Sequence, residues 1–560
     1  MDIRVALKNL KIDFKSIKDE NLRATIILLF NAVEQFSKEI DVLRKENQAL
    51  KDEVNRMKGE QGKPNPRAQT NKNNNHSSES DRKDDDKDGD SNSGKPGKNP
   101  KPKKDDIKID RVERCAVDKN ILPDDAVFKG CESVVVQDIK ITTDNVQFDR
   151  ETYYSPSQNK TFMGALPIGY QGQFGPGIKS LVLQLYQDGG MTEPALNRFF
   201  ETHGIHISAG TISKIITKDI APFHLEKADI VDAGLASTDY QHLDDTGSRV
   251  NGKNHHTHIL CNPFFTAFFT LPKRDRLSAI DVLSNGNLLF CINEDSYQLM
   301  TELGLSDKRL QQLKELNLTS DLMTKEAMDA HIKLLFSNPH RYPTSQKIIR
   351  EAAALIAYQQ FTGKTRILLT DGALQFQMIT EHQSLCWVHE GRHYKKLNPV
   401  LWANRELTEK FRISFWNFYR ELLQFKKSPT DKKVIRLSAA FDELFSTKTH
   451  YQDLDKRIAS TLAHKEKLLL VLRFPHIPLH NNPAELGARV QARKRDISLQ
   501  TKNAAGTKSK DSLMTVTQTA KKLGVNIFKY MYDRISGKYE MPSLADLIRQ
   551  KSTQMALVPV

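Results

Sequence analysis

Near the start of the chain, apolar residues recur at alternating three- and four-residue intervals: Val33, Phe36, Ile40, Leu43, Leu50, Val54 and Met57, with Asn47 in the same row. Such spacing keeps one seam facing a partner helix, and a lone Asn at an a position favours a defined dimer register. Residues 1–58 therefore read as a coiled-coil oligomerisation helix; the rival is a solitary amphipathic helix packed on its own protein. The pattern stops at Gly59. From 59 to 106 the stretch "NKNNNHSSESDRKDDDKDGDSNSGKPGKNPKPKK" has almost no apolar residue. It cannot bury enough surface to offset chain entropy and reads as a disordered low-complexity linker. Lys95 to Lys104 holds five lysines among Pro and Gly, either merely solvated or in loose contact with phosphates.

Residues 107–170 read as a small β-rich module. "SVVVQDIKI" and "NVQFDRETYYS" carry β-branched and aromatic residues between turn residues. From 171 to 228 a helical rhythm takes over. Thr192 can cap a helix with Glu193 and Pro194 in its first turn, Gly204 can end it, and Ser208 can cap a second helix with Ile212, Ile215 and Ile216 on one face. Helix, Gly-containing turn, helix is the outline of a helix-turn-helix-like DNA-binding region, although two packed helices of any helical domain look the same.

Between 229 and 520 the pattern is mixed α/β. "STDYQHLDDTG" reads as a strand ending in acids, "HHTHILCNPFFTAFFTLPK" as a hairpin turning at Asn262-Pro263, "KTRILLTDGA" as a buried strand ending in Asp371, and "SLCWVHEG" as a short strand. Long helical stretches near 277–362 and 394–474 interrupt them, so this region is a sheet with helical insertions. Residues 521–560 form a C-terminal helical tail.

Charge adds a partner to this outline. Lys+Arg total 83 against 69 Asp+Glu, a formal charge of +14. A basic chain of this size suits a polyanion, double-stranded DNA by default, as well as a merely basic soluble protein. The five cysteines (Cys115, Cys131, Cys261, Cys291, Cys386) form no CxxC pair, which argues against a disulfide framework and for a reducing compartment. No run of 18 apolar residues exists, and the start lacks a signal-peptide core. The expectation is a cytoplasmic protein, associated with the nucleoid and not with a membrane.

Three acids stand out within the α/β region: Asp244, followed by Asp245 and Thr246; Asp371 at a strand end; and Glu485 opening a helix. Phosphodiester hydrolysis and transesterification by two metals need carboxylates that hold two cations roughly 3.5–4 Å apart. Hard oxygen ligands suit Mg²⁺ or Mn²⁺. Each acid also has a plain account: an Asx turn before Thr-Gly or Gly for the aspartates, and a surface pair with Arg489 at i,i+4 for Glu485. Adjacent acids on a strand point to opposite faces, so one of Asp244 and Asp245 at most belongs to a single site. Cys386, His389 and His393 form C-x2-H-x3-H without an evident fourth ligand; a buried Cys beside a hydrogen-bonded His is the favoured account. His256 and His258 share a strand face that reads as solvated.

These segments also carry a resemblance. "HLDDTGSRVNGK", "LLTDGA", "CWVHEGRHYKKL" and "HNNPAELGARVQARK" resemble, in order, the H-x-D-E-T, second acidic, C-W-x-H-x-R-R and H-x-N-N-x-x-E-R…R…R-K segments of the TnpC-type transposases of the insertion-sequence sixty-six group. The resemblance covers most of the chain. It implies a multidomain DDE transposase with an α/β RNase H-like catalytic core that cuts DNA at insertion-element ends and joins the free 3′-hydroxyls to target DNA. Carried over, the metal-holding triad falls on Asp244, Asp371 and Glu485, with two Mg²⁺ (or Mn²⁺) ions. Asp245 stands where the family commonly has Glu, and Leu486 where it often has Arg. The paired cysteines of many N-terminal modules are reduced here to the widely spaced Cys115 and Cys131. Arg392, Arg489, Arg493 and Lys494 become candidate DNA contacts, against a solvated basic helix. The implied partners are element-end and target DNA, a second copy of the chain, and small accessory proteins of the same element. The rival functions are a DNA-binding, oligomerising repressor with a decayed core, and an RNase H-like nuclease without strand transfer.

Overall fold

The computed structural model describes residues 17–57, 108–118, 121–123, 126–318, 320–338 and 340–556. The expected linker at 59–106, and the first 16 residues of the expected coiled coil, lie outside the described residues.

Among the described residues, helix α1 (Glu20–Met57) comes first. The segment 133–141, expected as a strand, forms no regular structure, with Val134, Val136 and Ile139 exposed. Strands gain stability from a ladder partner, and this segment has none within the described residues. Only the hairpin β1 (Thr152–Ser155) and β2 (Lys160–Met163) forms here. Three helices follow, α2 (Pro176–Gln187), α3 (Glu193–Thr202) and α4 (Ala209–Thr217). Thr192 Oγ1 accepts from Ala195 N and Ser208 Oγ from Thr211 N, the caps that the polar residues there foretell. Ile212, Ile215 and Ile216 are all buried. The turn between α3 and α4 is held by the Asn197 side chain, which donates to the Ile207 carbonyl.

Helix α5 (Ala221–Ala236) leads into a five-stranded mixed sheet of order β5-β4-β3-β6-β7. β3 (Tyr240–Val250), β4 (Lys253–Cys261) and β5 (Thr266–Leu271) are antiparallel; β6 (Ile367–Thr370) and β7 (His382–Leu385) run parallel to β3. Asn251 and Gly252, both at positive φ, make the tight turn between β3 and β4. Between β5 and β6 lie α6 (Arg276–Leu283), α7 (Glu294–Glu302), α8 (Asp307–Lys314), α9 (Lys325–Leu335) and α10 (Pro343–Ala357). After β7 come α11 (Trp387–Lys395), α12 (Trp402–Lys427), α13 (Asp431–Phe445) and α14 (Gln452–Leu462), then α15 (Asn482–Ser498), α16 (Ala504–Leu523), α17 (Ile527–Ile535) and α18 (Leu544–Ala556).

The sheet separates two cores. Leu243 and Leu368 point into one, built with α2–α10 and α16–α18. Tyr240, Ile367 and Leu369 point into the other, an aromatic cluster of Trp387, Phe415, Phe418 and Phe441 contributed by the 387–474 helices. Strand alternation produces this division, since successive side chains leave opposite faces. Helix α15 lies on β3 and β4 close enough that a Cβ on Gly487 would meet Ile259 Cγ2 at 2.6 Å.

The outer edge of β5 is closed in an uncommon way. Thr519 Oγ1, Thr515 Oγ1 and Asp511 Oδ2 of α16 accept from the backbone N–H of Thr266, Phe268 and Thr270, at 3.2, 3.1 and 2.6 Å. Lys522 and Lys227 donate to the carbonyls of Phe265 and Phe268. Four helical residues rise about 6 Å and two strand residues about 6.7 Å, so a helix side-chain row can stand in for a neighbouring strand.

Candidate active site

β3 pairs with β6 only from Tyr240 to His242, whose partner is Leu369; beyond that it continues with β4 alone to Val250. Asp244 thus sits within a long strand, not at its end as the sequence suggested. The relevant end is that of β6. Asp244 is two residues beyond His242 and Asp371 two beyond Leu369, so the register brings both to one level and one face. Asp371 is exposed, and its Oδ1 accepts from Ala373 N at 3.0 Å, an Asx turn fixed by Gly372 at φ +90°.

Glu485 reaches the same place from the first turn of α15. Asn481, just before that helix, does not cap it with its side chain. Its Oδ1 meets His242 Nδ1 at 2.9 Å and its Nδ2 donates to the Leu243 carbonyl at 3.1 Å. Asn481 therefore ties the start of α15 to β3 beside Asp244. Burial leaves His242 neutral, its pKa pushed down to about 3 by desolvation against the raising effect of the bond to Asn481.

Asp244 is pushed up to about 8, first by burial and then by the charges of Asp371, Glu485 and Asp245, against one lowering bond from the Asp245 N–H. A carboxylate that burial and like charges hold up is one a cation would relieve. Asp245 leaves the opposite face. Its Oδ2 accepts from Gln375 Nε2 at 2.9 Å and its Oδ1 lies 3.5 Å from Arg274 Nε. Because Gln375 lies four residues after Asp371, Asp245 fastens the loop that carries Asp371.

Arg392 Nη2 donates to both oxygens of Glu485, at 3.0 and 2.9 Å, and both residues are buried. Glu485 is paired across to α11. Arg392 Nη1 also meets His389 Nε2 at 3.1 Å. A guanidinium only donates, so Nε2 is the acceptor and the imidazole proton sits on Nδ1. That Nδ1 is 3.6 Å from Glu485 Oε1 and has no hydrogen-bond partner among the described residues. Burial lowers the His389 pKa ahead of the opposing pull of Glu485.

Cys386, His389 and Glu485 offer ligand atoms that all lie within 4.8 Å of one another; the three acids are spread more widely. The Cys386 thiol is pushed up to about 12, chiefly by burial and next by Glu485, and its sulfur accepts from Asn481 N at 3.2 Å. A zinc-type site needs the thiolate and a fourth donor. The surroundings oppose the first, and His393 is not in the group. Three converging carboxylates are the hard oxygen set that Mg²⁺ or Mn²⁺ prefers.

The basic candidates divide. Arg493 is exposed and Arg489 half-buried. Arg392 is taken up by Glu485. Lys494 is buried, donates to the Tyr186 carbonyl at 2.6 Å and lies over the Tyr186 ring, its pKa lowered to about 7 by burial. These two charges are turned inward, which removes them from direct contact with a phosphate backbone. His258, read as solvated, is buried with Nε2 donating to the Lys273 carbonyl. Gln375 and Arg274 carry no sequence signal, whereas Asn481 and His242 sit inside the quoted motifs.

Residues 347–509 match the sequence profile of the transposase IS66 family. The chain belongs to the IS66 transposase family. The matched segment holds Asp371, Arg392 and Glu485 and begins after Asp244. An uncharacterized protein of Sinorhizobium fredii, y4jO, is 30% identical over 311 residues, covering 54% of this chain and 94% of that relative. Membership of the family implies an enzyme that processes DNA. Among the described residues no helix is long and apolar enough to cross a membrane.

Proposed function

We propose that the chain is a DDE transposase that cleaves DNA at insertion-element ends and transfers the 3′-hydroxyl ends into target DNA, with Asp244, Asp371 and Glu485 as the metal-holding triad. One observation carries the reading: three acids from distant segments meet at the end of β6, where Asp371 and Glu485 raise the proton affinity of Asp244. The sheet order, three antiparallel strands followed by two parallel ones, supports an RNase H-like core.

Asp244 and Asp371 would each offer an oxygen from the sheet, and Glu485 would close the site from α15. When bound, two Mg²⁺ or Mn²⁺ ions would supply an activated attacking oxygen and charge neutralisation at the leaving one. Arg392 keeps Glu485 oriented, and each carboxylate oxygen retains a free lone pair for a cation. Asp245 and Gln375 keep the Asp371 loop in register. His389 offers one neutral N–H donor to an oxygen entering the site. Helices α3 and α4 are the proposed grip on the element ends, Arg489 and Arg493 the proposed phosphate contacts, and α1 the means of self-association. Accessory proteins of the same element belong to the same reading.

The test is cleavage and joining of end-containing DNA by the purified chain with Mg²⁺. The expected products are nicked ends and joined strands, absent for Asp244→Asn although that variant still binds DNA. Cut ends without joined products would make it a nuclease. Binding without Mg²⁺-dependent cutting would make it a repressor. Wild-type cutting by Asp244→Asn would sink the triad.

A further inference from the structure

Four cations meet well away from the acid triad. The far end of β3, the last turns of α15, and parts of α2 and α16 enclose a cavity lined by Arg249, Lys494, Arg495 and Lys510. No Asp or Glu is among the described residues of its wall. Ser248, also in the wall, leaves β3 on the same face as Asp244 and four residues on, so the cavity lies about 13 Å from Asp244.

Most of these cations are met by a carbonyl where an acid would be expected. Lys494, 6% exposed, donates to the Tyr186 carbonyl and packs on the Tyr186 ring. It forms no ion pair among the described residues, and the charge of Lys510 adds to the burial that lowers its pKa. An ammonium has three donors, and one hydrogen bond uses one of them. Arg495 Nη1 donates to the Gly247 carbonyl at 2.7 Å and Arg249 Nη2 to the Gly252 carbonyl at 3.3 Å, one nitrogen each. Lys510 has an acid, Asp511 at 3.6 Å, but shares it with Thr270.

Two further features of the wall are unfinished without a ligand. Gln491, 2% exposed, donates from Nε2 to Ser248 Oγ at 3.3 Å, and its Oε1 has no partner among the described residues. A half-turn of the amide lets Ser248 donate to Oε1 and turns the NH₂ toward the cavity, as a donor for a ligand that only accepts. Leu499 is held at φ 54°, ψ −58°, and Gln500 N donates to the Ser498 carbonyl at 2.6 Å. This is the rare, strained form of γ-turn. Gln500 Oε1 accepts from Gly252 N at 2.6 Å, and Asn251 N donates to the Thr501 carbonyl at 2.8 Å, which fasten the strained segment to the β3–β4 turn. Strain imposed by its surroundings in this way gathers at ligand clamps.

Charge selects the ligand. Four cations against one shared acid leave several positive charges uncompensated, which suits an acceptor-only dianion. A phosphate monoester carries about −1.5 to −2 at pH 7, and guanidinium groups pair with phosphate oxygens through parallel N–H donors. Arg249 and Leu499 are exposed, so the cavity opens past them. A continuous DNA backbone stays outside that opening; a strand end or a free ion can enter it.

We propose that this cavity binds a phosphate monoester, either free phosphate or the 5′-phosphate that ends a DNA strand, between Lys494, Lys510, Arg249 and Arg495. The site is separate from the acid triad and needs no metal, so its failure and that of the function proposed above are told apart.

The test uses the full chain, inorganic phosphate and no divalent cation. Calorimetric titration at constant ionic strength should show one phosphate bound per chain. Lys494→Met, which keeps the stem and drops the charge, should bind at least tenfold more weakly. Arg249→Gln/Arg495→Gln should do the same, and its less buried positions keep the test decisive if the lysine variant does not fold. No binding by the wild type, or undiminished binding in either variant that folds, overturns the site. A 5′-phosphorylated oligonucleotide should displace labelled phosphate at least tenfold better than its 5′-hydroxyl twin. Equal displacement overturns the strand end as the source and leaves free phosphate as the ligand.

Discussion

Two aspartates, Asp511 packed against the sheet and half-buried Asp244 on it, stand under opposite conditions. Asp511, on α16, accepts from Thr270 N at 2.6 Å and Thr270 Oγ1 at 2.8 Å, and Lys510 lies 3.6 Å away. Asp244 has one backbone N–H and faces the charges of Asp371 and Glu485. The first closes an edge that would otherwise expose unpaired backbone. The second is left electrostatically incomplete, at the point where the proposed DNA chemistry would take place. Burial alone therefore does not distinguish a structural acid from a functional one; the number and sign of its partners do.

The largest effect that would break this contrast is on activity. Asp244→Asn should lower Mg²⁺-dependent cleavage on the order of 10³-fold or more while leaving the melting temperature unchanged or higher, because it removes an uncompensated buried acid. Asp511→Asn should do the reverse, lowering the melting temperature with a far smaller change in rate per folded molecule. If both variants lose stability alike, Asp244 is structural after all.

Next comes Arg392. Arg392→Gln leaves Glu485 buried with its ion-pair partner gone, a loss of about 3–5 kcal/mol. If Glu485 holds a cation, Mg²⁺ should restore part of that loss, and should stabilise the variant more than the wild type. Urea titrations with and without Mg²⁺ measure both numbers. Equal Mg²⁺ effects in the two proteins would detach Glu485 from the metal.

A third acid, the buried Glu226 on α5, lies between the two extremes. It accepts weakly from Leu544 N, lies 3.8 Å from Arg534 and is pushed up to about 7, mainly by burial. The folded chain thus holds a proton that the unfolded chain releases near its ordinary value of 4.5. Between roughly pH 4.5 and 7 the unfolded state binds fewer protons, so stability falls as pH rises through that window. The decline should be on the order of 2–3 kcal/mol and absent in Glu226→Gln. Denaturation midpoints taken across pH 5 to 8 decide it, and a parallel slope in the variant would assign the decline to other groups.

How much of this was legible in the chain depends on how local each cause is. Thr192 and Ser208 cap helices through bonds three residues away, and the capping residues announce them. Asp371 and Glu485 stand where a strand ends and a helix begins, both local events. The apolar run before Asp244 stops there and suggests a strand end; the strand instead continues with β4, through a turn whose hairpin signal is Asn251-Gly252. The expected strand at 133–141 fails for the same kind of reason, since a strand needs a partner that sequence spacing does not supply. Lys494 and Arg392 look like surface cations until the tertiary fold brings Tyr186 and Glu485 to them. The side-chain row of α16 on β5 joins residues about 240–250 positions apart, and no local pattern points to it.

That row also provides the smallest and cleanest test of the contrast. Thr515→Val preserves shape and volume but removes the oxygen that accepts from Phe268 N. The N–H is buried, so leaving it unpaired should cost about 1–3 kcal/mol, although no apolar contact is lost. Thr515→Ser keeps the oxygen, gives up a methyl group, and should cost less than the valine change. The order matters more than the size. If valine is tolerated and serine is not, α16 holds β5 by packing, and the comparison between a saturated and an incomplete acid loses its structural half. If valine is the worse of the two, and amide exchange at Phe268 rises with it, the edge is held by hydrogen bonds that Thr515 shares with Asp511 and Thr519.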